Sequence, residues 1–145
     1  VSARQQRPVV AGLFEETAQG PQLLGARCSG CGTTYFPRVA TCRNPACDSG
    51  APEAVALERR GVLYSYTIQH YRPPALFRVD DWSPYAIGLL EFPEGIRVMG
   101  MLRGVALDAI RIGETYVLAS TALYRDEEGC DVRTHVFERD AGATS

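Results

Sequence analysis

The sequence contains no lysine. All 15 basic residues are arginine, a skew that gene base composition alone can produce, although arginine also suits bidentate contacts to phosphate and carboxylate. No apolar run approaches the ~20 residues of a membrane-spanning helix, and the opening stretch "VSARQQRPVV" has no long apolar core of the secretory type. A cytoplasmic protein without membrane association is therefore expected. There is no surplus of positive charge either: 15 basic residues face 17 acidic ones, for a formal charge of -2. That balance gives no general attraction to nucleic acid or anionic lipid. With 145 residues, the chain is expected to build one good core, or a core plus a small satellite module, rather than a large multidomain enzyme.

Cysteine, by contrast, is present in a pattern. In "CSGCGTTYFPRVATCRNPAC", Cys28 and Cys31 form C-x2-C, Cys42 and Cys47 form C-x4-C, and ten residues separate the pairs. Thiols stay reduced in the cytoplasm, so paired cysteines there are metal ligands more often than disulfides. A short hairpin between the pairs would bring four thiolates around one ion, the donor set of structural zinc. Gly30 and Gly32 flank Cys31, as a tight knuckle requires, and Tyr35, Phe36 and Pro37 would cap the hairpin. The alternatives are a rubredoxin-like iron site and a redox dithiol, though a thioredoxin-type centre calls for one C-x-x-C at a helix start. Four protein ligands leave no position for water, so a zinc here would be structural. Cys130 stands apart and reads as a packing residue or inert thiol.

The remainder is mainly β. Val9, Val10, Leu13, Phe14 and Thr17 lie close to one helical face, and one short helix ending near Gly20 and Pro21 is expected. After Pro52, "EAVALERRGVLYSYTIQHYR" alternates as one long strand with a bend at Gly61. "PYAIGLLEFP", "IRVMGMLRG", "TYVLASTALYR" and "CDVRTHVFER" are further strands, bordered by turns such as Pro93-Glu94-Gly95 and Glu127-Glu128-Gly129. Five strands with one short connection around "VALDAIRIGE" suggest a closed barrel of the OB type. The expected organisation is a helical segment over 1–25, a zinc ribbon over 26–51, an OB-fold domain over 52–140 and a tail over 141–145.

The connection "RPPALFRVDDWSP", residues 72–84, joins two strands and carries three prolines, Phe77 and the only tryptophan, Trp82. A loop of that length commonly has a function or is disordered. Its aromatic rings call for burial against the protein's own barrel, a partner protein or a ligand.

The order of "LFEETAQG", "CSGCGTTYFPRVATC", "GVLYSYTIQH", "PYAIGLLEFPEGIRVMGML" and "IRIGETYVL" resembles the acyl-CoA-associated family that joins a rubredoxin-like zinc ribbon to an OB-fold, catalogued as domain of unknown function 35. The resemblance spans about residues 10–138; the C-x4-C knuckle departs from the commoner C-x2-C. It implies a small partner of a thiolase-fold protein, acting on acyl-CoA thioesters in synthesis or degradation, with the catalytic residues on the partner. A structural zinc and a CoA thioester bound by the complex are the implied ligands. His70, Arg72, Phe77, Arg78 and Trp82 are the candidate partner or acyl-CoA contacts.

The residues agree that catalysis lies elsewhere. Neither His70 nor His135 stands in a recognisable motif with a nucleophile and an orienting acid, and the paired carboxylates Asp80-Asp81 and Glu127-Glu128 read as solvated loop residues. Both histidines read as structural or interface residues, and His70, beside the aromatic loop, is the better functional candidate. The competing functional class is a nucleic-acid-binding ribbon and OB module, which would use aromatic platforms in a basic groove. No arginine-rich groove is evident, and a free-standing thioesterase or hydratase lacks a catalytic set.

Overall fold

A computed structural model describes residues 6–10, 12–18, 20–47, 51–79 and 82–140. The expected tail over 141–145 and the pair Asp80-Asp81 lie outside the described residues. Among these residues ten strands run in the order β1 (Gln6–Pro8), β2 (Phe14–Thr17), β3 (Gly20–Cys28), β4 (Thr34–Tyr35), β5 (Pro52–Ala56), β6 (Arg60–Gln69), β7 (Tyr85–Glu91), β8 (Arg97–Arg103), β9 (Thr115–Arg125) and β10 (Asp131–Arg139). Among the described residues helical geometry is confined to two single 3-10 turns, Ala75–Phe77 and Leu107–Ala109. None is long and apolar enough to cross a membrane.

The second half forms the expected barrel. β6 pairs with β7, β7 with β8, β8 in parallel with β10, β10 with β9, and β9 returns to β6. This five-stranded circuit encloses one core, and its seam is short, since β6 and β9 pair only from Arg60↔Val117 to Val62↔Thr115. Leu63, Leu90, Val98, Tyr116, Leu118 and Phe137 are buried within it, each apolar side chain contributing about 1.5–3 kcal/mol by leaving water. The connection between β8 and β9 inserts Ile110 into the same core. β1 adds a short parallel strand beside β10, which the sequence did not suggest.

The first half is also β. The expected helix is instead a hairpin: β2 pairs antiparallel with β3 from Phe14↔Leu23 to Thr17↔Gly20. The apolar residues that resembled one helical face serve two different cores. Val9 packs with Leu123 and Val132, whereas Phe14 joins the main core. Between them Gly12 takes φ +86°, a left-handed conformation that no helix continues through.

The long strand expected after Pro52 is two strands in two sheets. β5 pairs with β3 beside the cysteines, and the chain leaves that sheet at Leu57–Arg59 before entering the barrel as β6. Alternation in β6 slips at a bulge between Leu63 and Ser65. A bulge inserts one unpaired residue and so exchanges the two faces. Before the bulge the odd residues face inward, so Leu63 is 1% exposed while its neighbours Val62 and Tyr64 are 45% and 48% exposed. Beyond the bulge Tyr66 and Ile68 pair with Gly88 and Ala86, on the inward row of β7.

The two sheets share a core. Phe14, Leu23 and Leu57 cluster with Leu63, Leu90 and Phe137, with Phe36 and Val55 packed against them. Glu16 of β2 also reaches β9 and β10, accepting from Ser120 Oγ at 2.5 Å and Arg133 Nε at 3.3 Å.

Candidate metal centre and interaction loop

The four cysteines come from the end of β3 and the two knuckles on either side of β4. β3 delivers Cys28; a turn follows, in which Gly32 has φ +77° and its N–H donates to Cys28 O at 2.9 Å. Gly25, three residues earlier, permits β3 to approach β4, because a Cβ there would stand 2.7 Å from Tyr35 O.

The Sγ atoms of Cys28, Cys31, Cys42 and Cys47 all lie within 4.8 Å of one another. Cys28 and Cys47 are 3.7 Å apart, and Cys31 and Cys42 are 3.6 Å apart. A disulfide needs ~2.05 Å, whereas two thiolates at ~2.3 Å from a tetrahedral zinc stand ~3.8 Å apart. The spacing therefore fits a four-thiolate cage and excludes two disulfides in this geometry.

Local hydrogen bonds favour the thiolate form, which is the ligand form. The Cys31 thiol is pushed down to about 6, chiefly by the Thr33 hydroxyl 3.0 Å from its sulfur and then by the Thr33 N–H. Cys28 is lowered, chiefly by the Cys31 N–H, with Gly30 N–H acting in the same direction. The Tyr35 hydroxyl lies 3.3 Å from Cys42 Sγ while accepting from Arg43 N–H at 2.8 Å. Cys130 is far from this arrangement, buried beside β10, and its thiol is raised by burial. No ion is needed to explain Cys130.

The other sequence-derived candidates gather around the connection between β6 and β7. Phe77 ends the 3-10 turn Ala75–Phe77 and packs on the cluster of Val9, Leu123 and Val132. It therefore covers this protein's own barrel. Trp82 is half-buried, with Arg72 Cζ 6.0 Å from its ring centroid. Arg78 stacks at 3.7 Å over Tyr124 of β9.

Two cavities flank the loop. One of about 280 Å³ is lined by Val79, Trp82, Tyr85 and Arg103, among others. The second, of about 250 Å³, is lined by Pro73, Pro74, Phe77, Met99, Met101 and His135. His70 lies exposed just past β6 and is absent from both linings. The histidine at the loop is His135, brought there by β10; its place in an alternating strand was legible, but its neighbours were not. The large apolar side chains most open to solvent here are Tyr71, Leu76 and Met99, at 75%, 50% and 62%. Sequence reading had not singled them out.

Comparison with known proteins places this geometry. The family model described as the ChsH2 rubredoxin-like zinc ribbon domain matches residues 18–53, and that described as the ChsH2 C-terminal OB-fold domain matches residues 54–115. The benzoylsuccinyl-CoA thiolase subunit BbsA of Thauera aromatica is 30% identical over 129 residues, covering 88% of this chain and 84% of the relative. A DUF35 domain-containing scaffold protein of Methanocaldococcus jannaschii is 33% identical over 92 residues, 63% of this chain and 62% of that protein. The solved structure of an Ltp2-ChsH2(DUF35) aldolase contains a chain matching 81% of this one over 84% of its own length, with 31% identity and a TM-score of 0.64. The chain belongs to the ChsH2-type DUF35 family, in which a rubredoxin-like zinc ribbon precedes an OB-fold.

Proposed function

We propose that the protein is a noncatalytic, zinc-binding subunit of a thiolase-fold enzyme complex acting on an acyl-CoA thioester. The observation that carries this reading is the four-sulfur cage at zinc spacing in a chain similar to a subunit of a benzoylsuccinyl-CoA thiolase and to a chain of an aldolase. Cys28, Cys31, Cys42 and Cys47 would hold the ion. With all four positions filled by thiolate, it would tie β3 to the two knuckles and neither activate water nor polarise a substrate.

The site's own side chains support a binding role. Among the described residues, Ser120 is hydrogen-bonded to Glu16 and Arg133, a set that bridges the two sheets and includes no imidazole. Nucleophile and base would come from the partner. The loop from Arg72 to Pro84, with His70 beside it, would face that partner or the mouth of the acyl-CoA channel. Tyr71 and Leu76 supply exposed apolar area at its start, and Arg72 and Arg78 supply guanidinium groups. Stacking occupies a guanidinium's face and leaves its in-plane N–H donors for carboxylates or CoA phosphates.

Copurification with a thiolase-fold protein, followed by an acyl-CoA turnover assay on each chain and on the complex, tests the reading. Activity of the complex that requires the partner's nucleophile is the expected result. Turnover by the small chain alone would overturn it.

A further inference from the structure

His135 stands where the two sheets and the loop meet. The parallel pairing of β10 with β8 is registered from Val136↔Met101 onward, and one residue earlier a side-chain bond joins the same strands: Nε2–H of His135 donates to Met99 O at 2.9 Å. The ring fits because residue 100 is glycine, where a Cβ would stand 3.2 Å from His135 Cδ2. Phe14 of β2 and Phe36 after β4 approach the imidazole edge-on, with ring centroids at 6.2 and 6.4 Å, and Phe137 does so at 5.7 Å. The same residue lines the cavity beneath Pro73, Pro74 and Phe77. Its Nδ1 is buried without a hydrogen-bond partner.

Among the described residues packed on the ring, only the Met99 carbonyl favours a charged imidazole. β2 presents Phe14, and the carboxylate two residues on, Glu16, is bonded to Ser120 and Arg133. The segment after β4 presents Phe36. β8 presents the Met99 carbonyl, Gly100 and Met101, and the loop presents two prolines and Phe77. On β10 itself the charged residue closest in sequence is Arg133, which is bonded to Glu16 and Ser120. On β9 the residue paired with His135 is Ser120.

We propose that His135 is an acid-sensitive joint: the neutral imidazole holds the zinc-ribbon layer against the barrel, and protonation at Nδ1 loosens both that contact and the adjoining loop. Burial pushes the imidazole below its ordinary 6.5, against a smaller opposing effect of the Met99 carbonyl. A loosened state, with the ring in water, would therefore bind the proton more readily than the closed one. The contribution of the joint is complete above about pH 6.5 and falls as the pH drops through that value toward the lower folded pKa. This inference concerns the chain by itself and does not rest on the acyl-CoA reading.

The chain has two histidines, so in the zinc-loaded His70→Gln variant the only imidazole is His135. Nitrogen-15 NMR should show the Nε2–H tautomer at neutral pH and a pKa below 6.5. Amide exchange in Phe14–Thr17, Gly20–Cys28 and Ala75–Phe77, corrected for its intrinsic pH dependence, should rise several-fold relative to β9 between about pH 7.5 and 5. In His135→Gln that relative rise should vanish. An imidazole pKa at or above 6.5, or an unchanged pH profile in His135→Gln, overturns the proposal; if His135→Gln does not fold, the imidazole titration decides.

Discussion

The ring of Phe137 lies against Gly100 so closely that a Cβ there would stand 2.7 Å from its Cε2 atom. Gly100 pairs across the strands with Gly88, where a Cβ would meet Leu102 Cδ2 at 2.6 Å and Leu63 Cδ1 at 2.9 Å. Two facing glycines thus hollow the wall of β7 and β8, and the side chains of Leu63, Leu102 and Phe137 fill the space. Gly100→Ala and Gly88→Ala should each lower stability by about 1–3 kcal/mol, the usual cost of overpacking. Met99→Ala, on the exposed side chain next to Gly100, should cost no more than ~0.5 kcal/mol. Denaturant melts of the three variants check the contrast.

One zinc per chain is expected after purification without added metal. Replacing any one of Cys28, Cys31, Cys42 or Cys47 by alanine should abolish stoichiometric metal and lower the melting temperature, since binding of a structural metal is linked to folding. Cys130→Ala should leave the metal content unchanged. Elemental analysis reads both results, and iron in place of zinc, or less than about half an equivalent of any metal, would count against the cage.

The two sheets should be joined by apolar contact far more than by charge. Phe14 is buried in the shared core, so Phe14→Ala should cost about 3–5 kcal/mol. Glu16 bridges Ser120 and Arg133, but its side chain is 43% exposed, and Glu16→Ala should cost at most about 1 kcal/mol, less at high salt. Equal losses in the two variants would mean that the polar bridge, not the ring packing, holds the layers together.

These contrasts mark what the sequence could convey. The barrel strands were legible because one buried face imposes a period of two; the stretch read as "TYVLASTALYR" coincides with β9. The cysteine cage was legible because its spacing is a local geometric requirement. The N-terminal hairpin was not, because Val9 and Phe14 point into separate clusters, and a pattern summed over both resembles a helix. Nor was the break at Leu57–Arg59, since β5 and β6 share strand composition and differ only in the sheet that receives them. His135 owes its surroundings to Phe14, Phe36 and Gly100, which only the tertiary fold brings together.

Division of labour between chains gives the next expectation. The isolated protein should not turn over acyl-CoA substrates, and addition of a thiolase-fold partner should establish activity. Substituting the partner's nucleophile should abolish turnover while leaving the complex intact by size-exclusion chromatography. Activity of the small chain that persists through further purification would refute the assignment of catalysis to the partner.

The loop separates residues that hold this protein together from residues that would hold a partner. Phe77 rests on Val9, Leu123 and Val132, so Phe77→Ala should lower the melting temperature of the isolated subunit. Tyr71 and Leu76 are 75% and 50% exposed and stand outside the barrel's two buried clusters. If the loop is the interface, Tyr71→Ala and Leu76→Ala should leave the lone melt unchanged and together weaken the complex by about 2 kcal/mol or more, as apolar anchors do when buried by association. Trp82 is half-buried beside a cavity of about 280 Å³, and Trp82→Ala should affect both measurements. Zinc content should be unchanged in all four variants. Normal partner affinity in the Tyr71→Ala and Leu76→Ala proteins would place the interface elsewhere, because among the described residues of the loop these are the exposed large apolar side chains.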